Sequence, residues 1–90
     1  MNEDIKKIAN RYGLRKQLRQ TVEEMAELTQ VICKTERYDM DTVRDHLVEE
    51  VADVSIMIDQ IVYLLGDNMI AKIRDEKIKR QLERIENERF

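Results

Sequence analysis

The chain has 90 residues, 39% of them charged, yet its net charge is only −3. That length allows one domain, residues 1–90, with a thin core, and the balance of charge excludes the basic footprint of a nucleic-acid binder. Two glycines and no proline leave little for tight β-turns or a glycine-rich phosphate loop, so an all-α fold is predicted.

Residues 1–7 are polar or charged except for Met1 and Ile5 and hold no apolar h-region, which argues against a secretory signal. The first predicted helix spans about 3–12 and stops at Gly13, a residue free to enter the left-handed region. The second spans about 14–34. Leu18, Val22, Met25, Thr29 (through its methyl) and Ile32 alternate four and three apart along it, the stripe of a packed amphipathic helix. Cys33, the only cysteine, excludes an internal disulfide and reads as a small core residue. Residues 35–40 form a polar connection, with Asp41 or Thr42 available to cap the third helix.

The third helix, about 42–65, carries Val43, Leu47, Val51, Val54, Met57, Ile58, Ile61, Leu64 and Leu65, with Ala52, Ile56 and Tyr63 on its other side. Apolar over so much of its circumference, it is predicted to be central and to need more cover than one long helix provides. Gly66 ends it, and Asp67 or Asn68 caps a fourth helix of about 69–88. That helix has a thin stripe, Ile78, Leu82 and Ile85, among charges of both signs, as expected of a solvated or partner-facing helix. No apolar run approaches the roughly 20 residues that span a bilayer. The expectation is a cytoplasmic homodimer or homotetramer with no membrane partner, association being a common remedy for a thin core.

Several carboxylates stand out. On the second helix Glu23, Glu24 and Glu27 fall within an arc of about 100°, roughly opposite the apolar stripe. Alone, that fits a solvated polar face. On the third helix Glu50 and Asp53 are again three apart, but the helical neighbours of Glu50 are Val43, Leu47, Val54, Met57 and Ile61. A charge at such a core position is costly unless it is paired or holds a metal. His46, one turn before it, reads as a neighbour that satisfies Glu50. If the two helices pack antiparallel, Glu24 and Glu27 face Glu50 and Asp53, and two divalent cations would balance the four charges. Oxygen-only donors favour Mg²⁺ or Mn²⁺. The absence of any Glu-x-x-His argues against a di-iron bundle.

The string Glu23-Glu24-x-x-Glu27, 22 residues, then Glu50-x-x-Asp53 resembles the EExxE…ExxD signature of the all-alpha nucleotide pyrophosphohydrolases. That superfamily includes MazG-like proteins, dimeric dUTPases, dCTP pyrophosphatases and phosphoribosyl-ATP pyrophosphohydrolase. The resemblance implies a four-helix MazG-like bundle completed by oligomerisation. It implies Mg²⁺-dependent hydrolysis of a nucleoside triphosphate substrate, ribo or deoxy, between the α- and β-phosphates, in house-cleaning or control of nucleotide pools. Carried over by position, Glu24, Glu27, Glu50 and Asp53 become the metal ligands. Glu23 becomes the candidate for orienting or deprotonating the attacking water. The basic fourth helix is similar to the ending of small MazG-like members, making Lys77, Arg80 and Arg84 candidates for the outer phosphates, across a subunit boundary. Gln20, with Gln17, is a candidate for hydrogen bonding a base, since the aromatics are only Tyr12, Tyr38, Tyr63 and Phe90. Two alternatives stay open: a phosphoribosyl-ATP pyrophosphohydrolase-like enzyme, and a non-catalytic helical interaction module whose acidic cluster only holds metal.

Overall fold

A computed structural model describes residues 2–88; Met1 and Phe90 lie outside them. The described residues form four helices and no strand: α1 (Glu3–Tyr12), α2 (Leu14–Lys34), α3 (Met40–Leu65) and α4 (Met69–Glu88). The fold is an all-α bundle.

Local chemistry sets the boundaries. Asn2 caps α1, its side chain accepting the amides of Asp4 at 2.7 Å and Ile5 at 3.4 Å. Gly13, at φ 85° and ψ 167°, occupies a region that only glycine enters freely. Its amide donates to the Ala9 carbonyl at 2.8 Å and its carbonyl accepts the Gln17 amide at 3.1 Å, so one residue closes α1 and opens α2. Gly66, left-handed at φ 59°, ends α3, and Asp67 Oδ1 accepts the Met69 amide at 2.8 Å to start α4. The start of α3 differs from expectation. The cap is Asp39 rather than Asp41 or Thr42, and it acts through its backbone carbonyl, which accepts the Thr42 amide at 2.9 Å.

The five-residue connection 35–39 turns α2 back along α3. Gln17 then lies against Gln60, and Glu24 and Glu27 against Glu50, which is antiparallel packing. Helix α1 rests on α3: the Tyr63 hydroxyl donates to Asn10 Oδ1 at 3.1 Å, and the Lys6 ammonium stands 5.8 Å from the Tyr63 ring. Among the described residues the buried apolar core is Ala9, Val31, Val43 and Met57, and Gln17, Thr21, Glu50 and Gln60 are buried with it. Helix α4 buries no residue.

Three sequence expectations need correction. Leu18, Val22, Met25 and Ile32 do not pack inside the chain; all are exposed, Val22 to 68%. Instead α2 turns toward α3 the adjacent face that carries Gln17, Thr21, Glu24, Leu28 and Val31. Met25 therefore fills no core, although Met57 does. Cys33 is exposed as well. On α3 the neighbours of Glu50 behave as expected, with Val43 and Met57 buried and Leu47, Val54 and Ile61 half-buried, whereas Val51, Ile58 and Leu65 are exposed. At 100° per residue, this second α3 stripe and the outer stripe of α2 turn to the same side of an antiparallel pair. Together they make one continuous apolar face.

The molecule is open for its size. Its radius of gyration is 16.5 Å, against about 12 Å for a compact domain of this length. Its accessible surface is 7679 Å², about 2,000 Å² more than a folded monomer of this mass exposes.

Candidate metal centre

The acidic residues meet where α2 crosses the middle of α3. One carboxylate oxygen from each of Glu24, Glu27 and Glu50 can be chosen so that all three lie within 4.8 Å of one another. Glu24 and Glu27 reach the place together because three residues on a helix bring side chains to one flank. Glu50 arrives from within the apolar stripe of α3 and is 7% exposed.

The two inner carboxylates are held alike. Gln20 Nε2 donates to Glu24 Oε1 at 3.0 Å, and His46 Nε2 lies 3.3 Å from Glu50 Oε1. In each carboxylate the other oxygen, Oε2, is buried and has no hydrogen-bond partner. An unpartnered buried acceptor costs desolvation with no return, and two of them within one acidic cluster form a ready donor set for a cation. Glu27 sits at the exposed rim. Its carboxyl is raised above the usual 4.5, first by the charge of Glu24, then by that of Glu50, with desolvation and the charge of Asp53 adding to it.

Asp53 is half-buried. Its charge reaches Glu27, but it is not one of the three converging carboxylates. Glu23 is exposed beside them. Gln20 touches the site directly through Glu24. Lys77 and Arg80 border a shallow hollow formed by α4 residues alone, with Ile73 and Glu76. Among the described residues, no hydrogen bond or ion pair joins Lys77, Arg80 or Arg84 to the carboxylates of α2 and α3.

Two clefts flank the cluster. One, about 350 Å³, is lined by Tyr12, Lys16, Gln17 and Gln20, with the Lys16 ammonium 5.2 Å from the Tyr12 ring. The other, about 260 Å³, is lined by Lys34, Tyr38, Thr42, Val43 and His46. Each cleft carries one lysine; the first adds two amides and a tyrosine, the second a tyrosine, a threonine and an imidazole. Below the first cleft Gln17 Nε2 donates to Gln60 Oε1 at 2.7 Å, both side chains buried. Gln60, 2% exposed, donates in turn through Nε2 to the Met57 sulfur at 3.6 Å. Sequence reasoning missed Gln60, although it stands seven residues after Asp53 and fourteen after His46, in one polar lane along α3.

No protein-family model, curated protein or solved structure matches the chain. Among the described residues, no helix is long and apolar enough to cross a membrane.

Proposed function

We propose that the protein is a Mg²⁺-dependent nucleoside triphosphate pyrophosphohydrolase of the MazG-like kind. The observation that carries the reading is that Glu24 and Glu50, whose carboxylates converge with that of Glu27 across α2 and α3, each keep one buried oxygen without a hydrogen-bond partner. A set of carboxylate oxygens suits a hard divalent cation, Mg²⁺ or in its place Mn²⁺. Glu24, Glu27 and Glu50 would hold it directly, and Asp53, outside that trio but close enough for its charge to reach Glu27, is the candidate fourth ligand.

When bound, the cation supplies charge neutralisation and Lewis acidity at the phosphate oxygens. The residues do the rest. Gln20 and His46 each engage one oxygen of Glu24 and Glu50, which restrains these carboxylates and leaves the other oxygen of each available to a cation. Glu23, exposed next to Glu27, accepts a proton as water adds to the α-phosphorus and the bond to the bridging oxygen of pyrophosphate breaks. The cleft of Tyr12, Lys16, Gln17 and Gln20 is suited to the nucleoside, by stacking and by amide donors and acceptors. The cleft at Lys34 and His46 offers one ammonium and an imidazole to the departing phosphates. Lys77, Arg80 and Arg84 could join them only from another copy or after movement of α4.

The apolar face shared by α2 and α3, together with the surplus surface, supports a homodimer or homotetramer. This reading places the protein among cytoplasmic enzymes that control nucleotide pools. The test is product analysis by ³¹P NMR for a panel of ribo- and deoxynucleoside triphosphates, with and without Mg²⁺. Monophosphate and pyrophosphate, formed only with the metal, are expected. Orthophosphate as primary product would sink the assignment, as would turnover undiminished by chelator.

A further inference from the structure

The cleft of about 350 Å³ beside the carboxylates is lined by Tyr12, Lys16, Gln17 and Gln20. An aromatic ring stacks on any base, so selection among bases falls to the polar atoms. The partners of the two glutamines set which atoms those are.

Gln60 orients the first. It is buried, and its Nε2 donates to the Met57 sulfur at 3.6 Å. A thioether carries no proton and can only accept, so Gln60 gives its amide nitrogen to Met57 and its carbonyl to Gln17. That carbonyl also can only accept, and Gln17 meets it with Nε2 at 2.7 Å. A carboxylate orients the second: Gln20 Nε2 donates to Glu24 Oε1 at 3.0 Å. Among the described residues no hydrogen bond reaches Oε1 of Gln17 or of Gln20. Gln17 is buried as a residue, yet its Oε1 is not one of the buried atoms without a partner, so this oxygen still meets solvent. Nitrogen and oxygen lie on opposite edges of a planar amide. With both nitrogens anchored, the carbonyl oxygens are the groups left to meet a ligand. Three residues apart on α2, the two side chains share one flank and can act on one ligand.

We propose that this cleft selects a nucleotide whose base carries an exocyclic amine, such as cytosine or guanine, over uracil or hypoxanthine, and that Gln60 sets the choice by orienting Gln17. The assignment rests on the reading of the neighbouring carboxylates as part of a nucleotide site. Two carbonyl acceptors call for two N–H donors on the base. Cytosine supplies both from its amine, and guanine has its amine next to a ring N–H. Uracil and hypoxanthine offer a single ring N–H beside a carbonyl. A base carbonyl set against Gln17 or Gln20 places acceptor against acceptor, which costs more than an absent contact. The Lys16 ammonium, 5.2 Å from the Tyr12 ring, can serve the carbonyl that all four bases retain and so does not choose among them. Gln60 itself touches no ligand and is a positioning residue.

The test is the affinity of the full chain for neutral nucleosides in matched pairs, cytidine against uridine and guanosine against inosine. Side-chain amide signals of the glutamines in ¹H–¹⁵N NMR read the binding. The amino-bearing member of each pair is expected to bind about tenfold tighter and to shift the Gln17 and Gln20 amides. Gln60→Leu frees Gln17 to present either edge. It is expected to tighten uridine while weakening cytidine, bringing their ratio to about one. A damaged fold would instead weaken both together and lower the helical circular dichroism. Gln20→Leu, at an exposed position, removes one acceptor without touching the core and is expected to reduce the cytidine preference independently. Equal affinity within each pair overturns the proposal, as does tighter binding of uridine or inosine, or no binding of any of the four at millimolar concentration. A cytidine preference unchanged in a folded Gln60→Leu overturns it too. Neutral nucleosides need neither metal nor turnover, so the selectivity can stand where pyrophosphate release fails. Conversely, metal-dependent cleavage without any preference in these pairs leaves the hydrolase reading intact and removes the selectivity.

Discussion

Replacing Glu50 by glutamine separates metal binding from folding. Glu50 is 7% exposed, and one of its oxygens lies within 4.8 Å of an oxygen of Glu24. Two like charges at that distance repel by about 3.5 kcal/mol at an effective dielectric of about 20, and by about 0.9 kcal/mol at that of water. Glutamine removes this repulsion and keeps the shape. It also brings an amide donor to the unpartnered Glu24 Oε2, while its carbonyl can take the place of Glu50 Oε1 opposite His46. The metal-free variant is therefore expected to gain about 1–3 kcal/mol, or several degrees in melting temperature for a chain this small. The parent should gain about 2.7 kcal/mol from Mg²⁺ at 100 times its Kd, and the variant should lose most of that gain together with turnover. Thermal melts of both proteins, with Mg²⁺ and with chelator, make the comparison. A variant that melts higher without metal and no longer responds to it fits a buried ligand. An unchanged Mg²⁺ shift in Glu50→Gln would remove Glu50 from the site. A metal-free variant less stable than the parent would show that His46 already compensates the Glu50 charge.

His46→Ala should leave the fold intact, since the ring is largely exposed, yet lower Mg²⁺ affinity about 10- to 100-fold; calorimetric titration reads this, and unchanged affinity would make His46 a bystander. A carboxyl raised in the fold, such as Glu27, stays protonated in the native state over a pH range where the unfolded chain has lost the proton. Its contribution therefore falls as pH rises from about 4.5 through the raised value and is regained on acidification. The stability difference between the metal-free parent and Glu27→Gln should shift in the parent's favour as pH is lowered from 7 toward 4.5, and a pH-independent difference would contradict the like-charge crowding around Glu27.

Features fixed by a residue's immediate neighbours were legible in the sequence. Gly13 and Gly66 end helices because their backbone conformations are local properties. Glu50 stood out because Leu47, Val54 and Met57, all within one or two turns of it, define its surroundings. The α3 start was misplaced by two residues because Asp39, Asp41 and Thr42 are all competent caps in one polar stretch, and a backbone carbonyl rather than a side chain decided between them. The Gln17–Gln60 hydrogen bond was not legible. Its partners are 43 residues apart, and a glutamine on a charged helix gives no sign of burial until the opposing helix is in place.

The α2 stripe fails as a prediction for a more general reason. Leu18, Val22, Met25 and Ile32 have the period of a buried face, and the period says only that the face is meant to be covered. It does not say by what. Within this chain α2 has a competing demand, since Glu24 and Glu27 must point at Glu50 for the carboxylates to converge. The two faces lie about 100° apart on the helix, so α3 cannot cover both. The acidic face wins the intrachain contact and the apolar stripe is left exposed. A helix that gives its internal contact to a polar cluster must find apolar cover elsewhere, and here the stripe turns to the same side as the exposed line of Val51, Ile58 and Leu65 on α3. The site and the open face are thus two consequences of one rotation of α2. Any substitution that turned the stripe inward to thicken the core would pull Glu24 and Glu27 away from Glu50.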